Sequence, residues 1–476
     1  MKHVDVLVVG SGAGGATTAA TLARAGVDTL VLEEGPDIAA GVLPQFSQDQ
    51  MRAQYRNRGQ LVALGIPPIA YAEGRCVGGS TEINSGLYHP PSPELLARWS
   101  RIWHIEGLDS QDVAPISAAL EQNLSVGMFP GPLPPASQFL ADGARQLGWR
   151  AVEVPRWYRH DRGERQSMSR TYLQEAVKAG AQIRSGAWVR RLEVHNGRAG
   201  AAWVEYADGG TERIAFDAAF VCGGAVQSPA LLLRSGIRRK VGRTLSLHPT
   251  VKAVARSSRI GNDPRDVPVT QVREFAPNMT IGGSATDPAL LALALLETAV
   301  GVGGVLQYGL DAGIYYAAIR SPGRGRVRVL PRTRDPVVTF PTSHRDMARL
   351  RSALGRLLLV LLAAGAEEVV PSVRGGEAIR APEQIPQEVQ RLTRRTAELM
   401  TVHVCSSVPM GEDRARCAVD SFGASHEVAG LYVNDASIIN EAPGINPQGT
   451  LMALAIRNAE HFLRSRGQQP PPREFG

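Results

Sequence analysis

The chain opens on an apolar run of strand length, Val4-Asp5-Val6-Leu7-Val8-Val9, that leads directly into Gly10-Ser11-Gly12-Ala13-Gly14-Gly15. Ala16 to Ala25 reads as a helix of small residues closed by Gly26. A second strand, Asp28 to Leu32, ends in Glu33. The pattern predicts β–turn–α–β. Further along, Ala219 to Cys222 is a buried-strand run that enters Gly223-Gly224, with a helix expected from about Pro229. Near the end, Gly430 to Val433 is a strand followed by Asp435. Asn446 at N-cap and Pro447 at N1 then predict a helix running to about Arg464. Glycine-ended strands this far apart predict one sheet assembled from distant pieces. Residues 91–164 are rich in Pro and Arg and lack periodicity. Residues 251–399 alternate short strand patterns with one strong helix, Asp346 to Gly365. The expected fold class is therefore α/β, or α+β overall. A Rossmann-like dinucleotide-binding domain is built from 1–90, 165–250 and 400–466, and 91–164 and 251–399 form an inserted domain with a mainly antiparallel sheet and helices. Residues 467–476 are expected to be a flexible tail.

The first motif carries chemistry because of its context. Gly10, Gly12 and Gly15 stand in a GxGxxG spacing after a strand and before a helix, with the acid Glu33 at the end of the next strand. Gly10 allows the tight turn, Gly12 lets backbone amides approach a pyrophosphate, and Gly15 lets the helix pack close to the strand. The helix start at Ala13 offers free N–H groups to an anion. Glu33 suits a ribose diol. The motif alone fits NAD as well as FAD. A second glycine-rich block, residues 74–86 (GRCVGGSTEINSG), reads as a loop pressed against something flat or charged.

Composition narrows the class. Hydrophobic residues make up 43% and charged residues 20%, so an ordered globular protein is expected. The net charge of +7 comes with no nucleic-acid-reading motif and with acids interspersed, so a nucleic-acid partner is not expected. The four cysteines, Cys76, Cys222, Cys405 and Cys417, form no CxxC, which fits reduced thiols and no metal centre. No signal peptide is visible, and the longest apolar stretch, Leu357 to Ala366, is too short to span a bilayer; a cytoplasmic location is expected. There is no GxSxG and no Gly-Lys-Ser/Thr, against hydrolase and P-loop chemistry.

Taken together, the blocks resemble the glucose–methanol–choline (GMC) family of flavin-dependent oxidoreductases. The resemblance is carried by the N-terminal glycine motif, by residues 74–86, by GGAVQSPALLLRSGI at 223–237, by VGRTLSLHP at 241–249, by SPGRGRVRV at 321–329, and by the terminal VHVCSSVPMG, GLYVNDAS and GINPQGTLMALA blocks. The end of the chain looks most like the bacterial cholesterol oxidase and gluconate dehydrogenase branches. The resemblance implies FAD. It places His403 and Asn446, 43 residues apart, at the flavin as the catalytic pair. It also implies cofactor contacts from Gly10, Gly12, Ala13, Gly15, Glu33, Arg75, Gly79, Ser80, Asn84, Val189, Gly224, Asp435, Ala436, Asn446, Pro447 and Gln448. Members that attach FAD covalently use a His where this chain has Ile83, so non-covalent FAD is expected. Ser406 and Ser407 stand where the family often has Gly and Thr, and a left-handed turn there would strain a serine.

The expected reaction is oxidation of an alcohol CH–OH to a carbonyl. His403 takes the proton, a hydride passes to flavin N5 and Asn446 orients the oxygen. The substrate is a small-molecule alcohol, with polyols, sugars and aminosugars first; Asn440 and Glu441 are candidate pocket residues. The alternatives are a sterol or other apolar alcohol, or a non-redox lyase. The electron acceptor is oxygen or an unidentified carrier. His248, His344 and His426 are left as structural histidines and Cys405 as packing.

Overall fold

The computed structural model describes residues 2–261 and 267–475. Its first sheet is built from β1 (Lys2–Val9), β2 (Thr29–Leu32), β3 (Gln182–Arg184), β4 (Ala187–His195), β5 (Arg198–Tyr206), β6 (Thr211–Val221) and β7 (Leu431–Val433). The order is β4-β5-β6-β1-β2-β3, with β7 paired to the C-terminal half of β6. β1 runs parallel to both β2 and β6, whereas β4, β5 and β6 form an antiparallel meander. α1 (Ala13–Arg24) packs on β1, β2 and β6, α2 (Gly224–Arg234) packs on β4, and α3 (Gln448–Ser465) packs on α1 and sets Phe462 against Phe220 and Tyr432.

The glycines set how close these pieces come. Gly10 has φ +101, and a Cβ on it would lie 2.5 Å from the Cys222 carbonyl oxygen; a Cβ on Gly15 would lie 1.9 Å from Gly10 O. Any side chain at Gly15 would lift α1 off the sheet. Asn434, just after β7, ties three elements together: its amide donates to Thr18 Oγ1 at 2.8 Å and to Ala455 O at 2.9 Å.

The second sheet has nine strands. Thr250–Arg256 and Ala312–Ile319 lie at its centre, followed outward by Met279–Gly283, Thr270–Val272 and Ala151–Glu153. The helix His344–Ala363, capped by a Ser343–Asp346 capping box, packs Leu350, Leu354, Leu357 and Leu361 into this sheet's core. The other edge recruits Ile69–Tyr71, which pairs with Leu399–Thr401, and Leu61–Ala63, which pairs with Ile69–Tyr71. These N-terminal residues hydrogen-bond into the second sheet, not the first.

Four other elements depart from the expectations. The helices of residues 91–164 divide between the two cores instead of joining the second alone. Pro93–Trp103 and Ser110–Asn123 bury Leu96, Trp99, Ile116 and Leu120 in the first core, whereas Pro135–Gln146 places Phe139 and Leu140 in the second. Each such side chain contributes about 1.5–3 kcal/mol on burial, which decides to which body the helix belongs. α2 begins at Gly224, five residues before Pro229, so Pro229 lies inside it. The tail is docked: Arg24 donates to the Pro472 and Glu474 carbonyls, Arg473 pairs with Glu460, and Phe475 meets the edge of Tyr172 with centroids 4.6 Å apart. Lastly, Asn446 is not the N-cap of α3; Pro447 occupies that position and no side chain caps it. Among the described residues, no helix is long and apolar enough to cross a membrane.

Candidate active site

The two glycine-rich loops meet. Gly79 has φ +57, and a Cβ on it would come within 2.8 Å of Gly12 Cα. The N-terminus of α1 has no side-chain cap at Gly12 and no acid in its first turn, which leaves its amides open to an anion. Glu33 is buried at the end of β2. Its carboxylate accepts from Ser11 N–H at 3.0 Å, Ser11 Oγ at 2.6 Å and Gly35 N–H at 2.9 Å. Burial pushes its pKa up against these stabilising bonds. Arg75 is ion-paired with Glu34 at 3.2 Å, and Ser80 Oγ accepts from Gly74 N–H. A shallow-backed glycine cradle, uncapped amides and a buried acid at the adjacent strand end together fit an adenine dinucleotide.

The far side of this cradle is closed by chain from the other end of the sequence. Asn84 Nδ2 donates to Gln448 Oε1 at 3.1 Å, and its Oδ1 accepts from Gly86 N–H. Asp435 is 2% exposed and saturated by protein donors. Its Oδ1 takes Ser437 N–H and Oγ, and its Oδ2 takes Gly224 N–H and Ser228 Oγ. The side chain therefore clamps α2 to the end of β7. Val189 lies buried in β4, paired with Val204.

His403 is placed by a short antiparallel pairing of Ser246–Leu247 with Val404–Cys405, in which Leu247 faces Val404. That register sets the next residues, His248 and His403, side by side. The loop that follows is locked: Ser406 N–H bonds Ala436 O, Ser407 N–H bonds Ser437 O and Ser407 Oγ bonds Ala225 O. Ser406 has φ +55, the left-handed conformation that the sequence comparison with Gly pointed to. Its hydroxyl donates to Asn440 O at 3.0 Å.

The His403 ring is half-buried, and the surrounding protein pushes its pKa down to about 4, so it is neutral at neutral pH. Asn446 Nδ2 lies 3.4 Å from His403 Nε2. This is what Asn446 does in place of capping α3. Gln271 Nε2 approaches Asn446 Oδ1 at 3.3 Å and Tyr316 Oη at 3.4 Å. Arg273 and Thr280 reach the Gly444 carbonyl. His89 is pushed down to about 3 by burial first, then by Arg273 and His403.

His403 and Asn446 are therefore brought together, as are Gly12 with Gly79 and Asn84 with Gln448. Asn440 and Glu441 do not behave as pocket residues. Asn440 is 1% exposed, and its amide satisfies both the N–H and the C=O of Met410. Glu441 is held by Arg98 and Arg320 and by Trp99 Nε1. Cys405 is buried, and its thiol is pushed up to about 12, an inert packing group. Sequence reasoning missed His248, Gln271 and Tyr316. His248 lies in the 241–249 block, but only the strand pairing reveals its neighbour. Gln271 and Tyr316 come from the second sheet, where nothing local marks them.

The chain is similar to known proteins over nearly its whole length. A family model described as GMC oxidoreductase matches residues 4–250, and its C-terminal counterpart matches residues 321–455. An uncharacterized GMC-type oxidoreductase of Sinorhizobium fredii is 37% identical over 98% of this chain and 96% of its own. A long-chain-alcohol oxidase of Arabidopsis thaliana is 26% identical over 97% of this chain and 68% of its own. The crystal structure of pyridoxine 4-oxidase from Mesorbium loti superposes with a TM-score of 0.76 at 18% identity, covering 96% of this chain and 99% of that one.

Proposed function

Because the chain belongs to the GMC oxidoreductase family, and so is an FAD-dependent oxidoreductase, we propose that it oxidises the CH–OH group of a small polar alcohol to a carbonyl at the His403–Asn446 pair. The observation that carries the proposal is the meeting of a neutral imidazole and a carboxamide, 3.4 Å apart, with the carboxamide two residues from Gln448, which bonds Asn84 of the second glycine-rich loop. When bound, FAD supplies the two-electron acceptor for the hydride leaving the carbinol carbon. The protein's part is to hold the oxygen and manage its proton. Asn446 offers an amide to the substrate oxygen. His403 Nε2, on the same side, is the exchangeable site through which the hydroxyl proton leaves; a group in that role usually contributes about 10²–10⁴-fold. The cradle holds the cofactor through Gly10, Gly12, Ala13, Gly15, Gly79, Ser80 and Arg75 backbone and side-chain groups. Ala436 and Pro447 line the approach from the C-terminal segment, with Gly224 held beside them by Asp435. With Ile83 where covalent members have a His, attachment is non-covalent.

Polar substrates are favoured because Asn446 meets Gln271, Gln271 meets Tyr316, and Arg273 holds the nearby Gly444 carbonyl, polar groups rather than apolar side chains. Glu441 gives no support to a cationic substrate, since its charge is matched by Arg98 and Arg320. The second reading, an apolar long-chain or sterol alcohol, is favoured by the named activity of the Arabidopsis relatives. An anaerobic panel of polyols, sugars, aminosugars, choline, sterols and fatty alcohols separates them. The first reading requires flavin bleaching by polar members; bleaching by fatty alcohols alone selects the second. Re-admission of air then tells whether oxygen or a carrier takes the electrons.

A further inference from the structure

His248 is 3% exposed and touches groups on both sides. Its Nδ1 lies 2.9 Å from His403 Nδ1, with the two rings nearly perpendicular at 82°. Its Nε2 accepts the backbone N–H of Gly444 at 2.9 Å. The Gly444 peptide has little freedom to turn away. It has φ +82, a Cβ there would lie 2.4 Å from Pro277 O, and its carbonyl accepts from Thr280 Oγ1 at 3.1 Å.

A backbone N–H cannot change its role, and that fixes the rest by elimination. Nε2 of His248 is an acceptor, so a neutral His248 carries its proton on Nδ1. That proton points at His403 Nδ1, which must accept it. Neutral His403 then carries its own proton on Nε2. We propose that His248 is a positioning residue that, held by Gly444, sets the tautomer of His403, so that the resting enzyme presents Nε2–H to the substrate oxygen. The inference rests on the reading of His403 as the group that meets that oxygen. The Ala442 carbonyl also faces the His248 ring and is the acceptor that the opposite tautomer would use.

The consequence concerns the order of proton movements. To take the hydroxyl proton at Nε2, His403 must first adopt the other neutral form. The shared proton crosses from His248 Nδ1 to His403 Nδ1, His403 releases its Nε2 proton to water, and His248 gains one from water at Nε2. The number of protons is unchanged. This second pair sets His248 Nε2–H against Gly444 N–H, so it forms only when that contact opens. Gly444 is two residues from Asn446, so opening the contact moves the segment that also holds the substrate oxygen. By the same hydrogen-bond complementarity, the Asn446 and Gln271 amides turn over together in the resting form, so that Asn446 Oδ1 accepts from His403 Nε2–H and Asn446 Nδ2 donates to Gln271 Oε1.

The test is 15N NMR of the FAD-bound protein labelled in its histidines, with His403 assigned by its loss in His403→Gln. The proposal expects a protonated Nε2 and a bare Nδ1 on His403; the reverse pattern overturns it. Two variants add a readout that packing alone would not move. Asn places an amide N–H where His Nδ1 lies, and Gln places its amide where Nε2 lies. His248→Asn is expected to keep His403 predominantly Nε2-protonated, and His248→Gln to give a mixture of tautomers. Identical His403 spectra in both variants and wild type overturn the proposal. The tautomer is read without substrate, so failure of the alcohol panel and failure of this inference are separate results.

Discussion

Asn84 and Gln448 share a 3.1 Å hydrogen bond across 364 residues of sequence, and this contact closes the dinucleotide cradle with the first turn of α3. If the bridge couples the two segments, the single variants Asn84→Ala and Gln448→Ala will not add. The double variant is expected to fall short of their sum by about 0.5–1.5 kcal/mol, the worth of one such bond. Urea unfolding of the four FAD-bound proteins measures it, and simple additivity would remove the bridge from the account.

Ser406 gives a test with an unusual sign. In ordinary backbone Gly is less stable than Ala, but at φ +55 any Cβ is strained by about 1–2 kcal/mol. Both substitutions lose the same bond to Asn440 O. Ser406→Gly is therefore expected to be more stable than Ser406→Ala by about 1 kcal/mol, read from thermal or urea midpoints. The opposite order would mean that the turn is not left-handed.

Acid should weaken the fold through the site histidines. The folded pKa is lowered to about 4 for His403 and about 3 for His89, and lies well below the ordinary value for His248. The unfolded chain binds those protons from about pH 6.5 downward while the folded chain does not. Stability is thus fully present above that pH and is lost as pH falls toward 4, by at most about 1.4 kcal/mol per unit for each histidine. Glu33, Glu73 and Asp435 are shifted up by burial and act in the opposite sense. The comparison that isolates the effect is His403→Gln against wild type, urea midpoints at pH 7 and pH 5. The variant is expected to lose less stability between the two; equal losses would contradict the lowered pKa.

Ile83 predicts that the flavin is held without a bond. Acid precipitation should leave the yellow colour in the supernatant and a denaturing gel band without flavin fluorescence. A fluorescent band would show a covalent link made elsewhere.

Much of the cradle was legible in the sequence because its chemistry is local. Gly10, Gly12, Gly15 and Glu33 are spaced by one β–turn–α–β unit, and backbone sterics alone dictate their types. The resemblance singles out His403 and Asn446, and the structure brings the two side chains within 3.4 Å. What could not be read depends on tertiary register. His248 becomes a partner of His403 only through the pairing of Leu247 with Val404, two-residue strands that carry no periodicity. Asn446 reads as a helix cap in the sequence because Asn-Pro is good cap chemistry. The competing hydrogen-bond partners across the site won instead, and the cap fell to Pro447. The tail's composition suggested freedom, yet Arg473 finds Glu460 and Phe475 finds Tyr172, contacts that only the assembled surface provides.

The most direct measurement is anaerobic mixing of the FAD-bound protein with the best alcohol of the panel, following loss of the visible flavin band. Wild type is expected to bleach, while Asn446→Ala and His403→Ala keep their flavin and bleach at least ~100-fold more slowly. Variants that remain yellow and bleach at the wild-type rate would contradict the assignment of this pair.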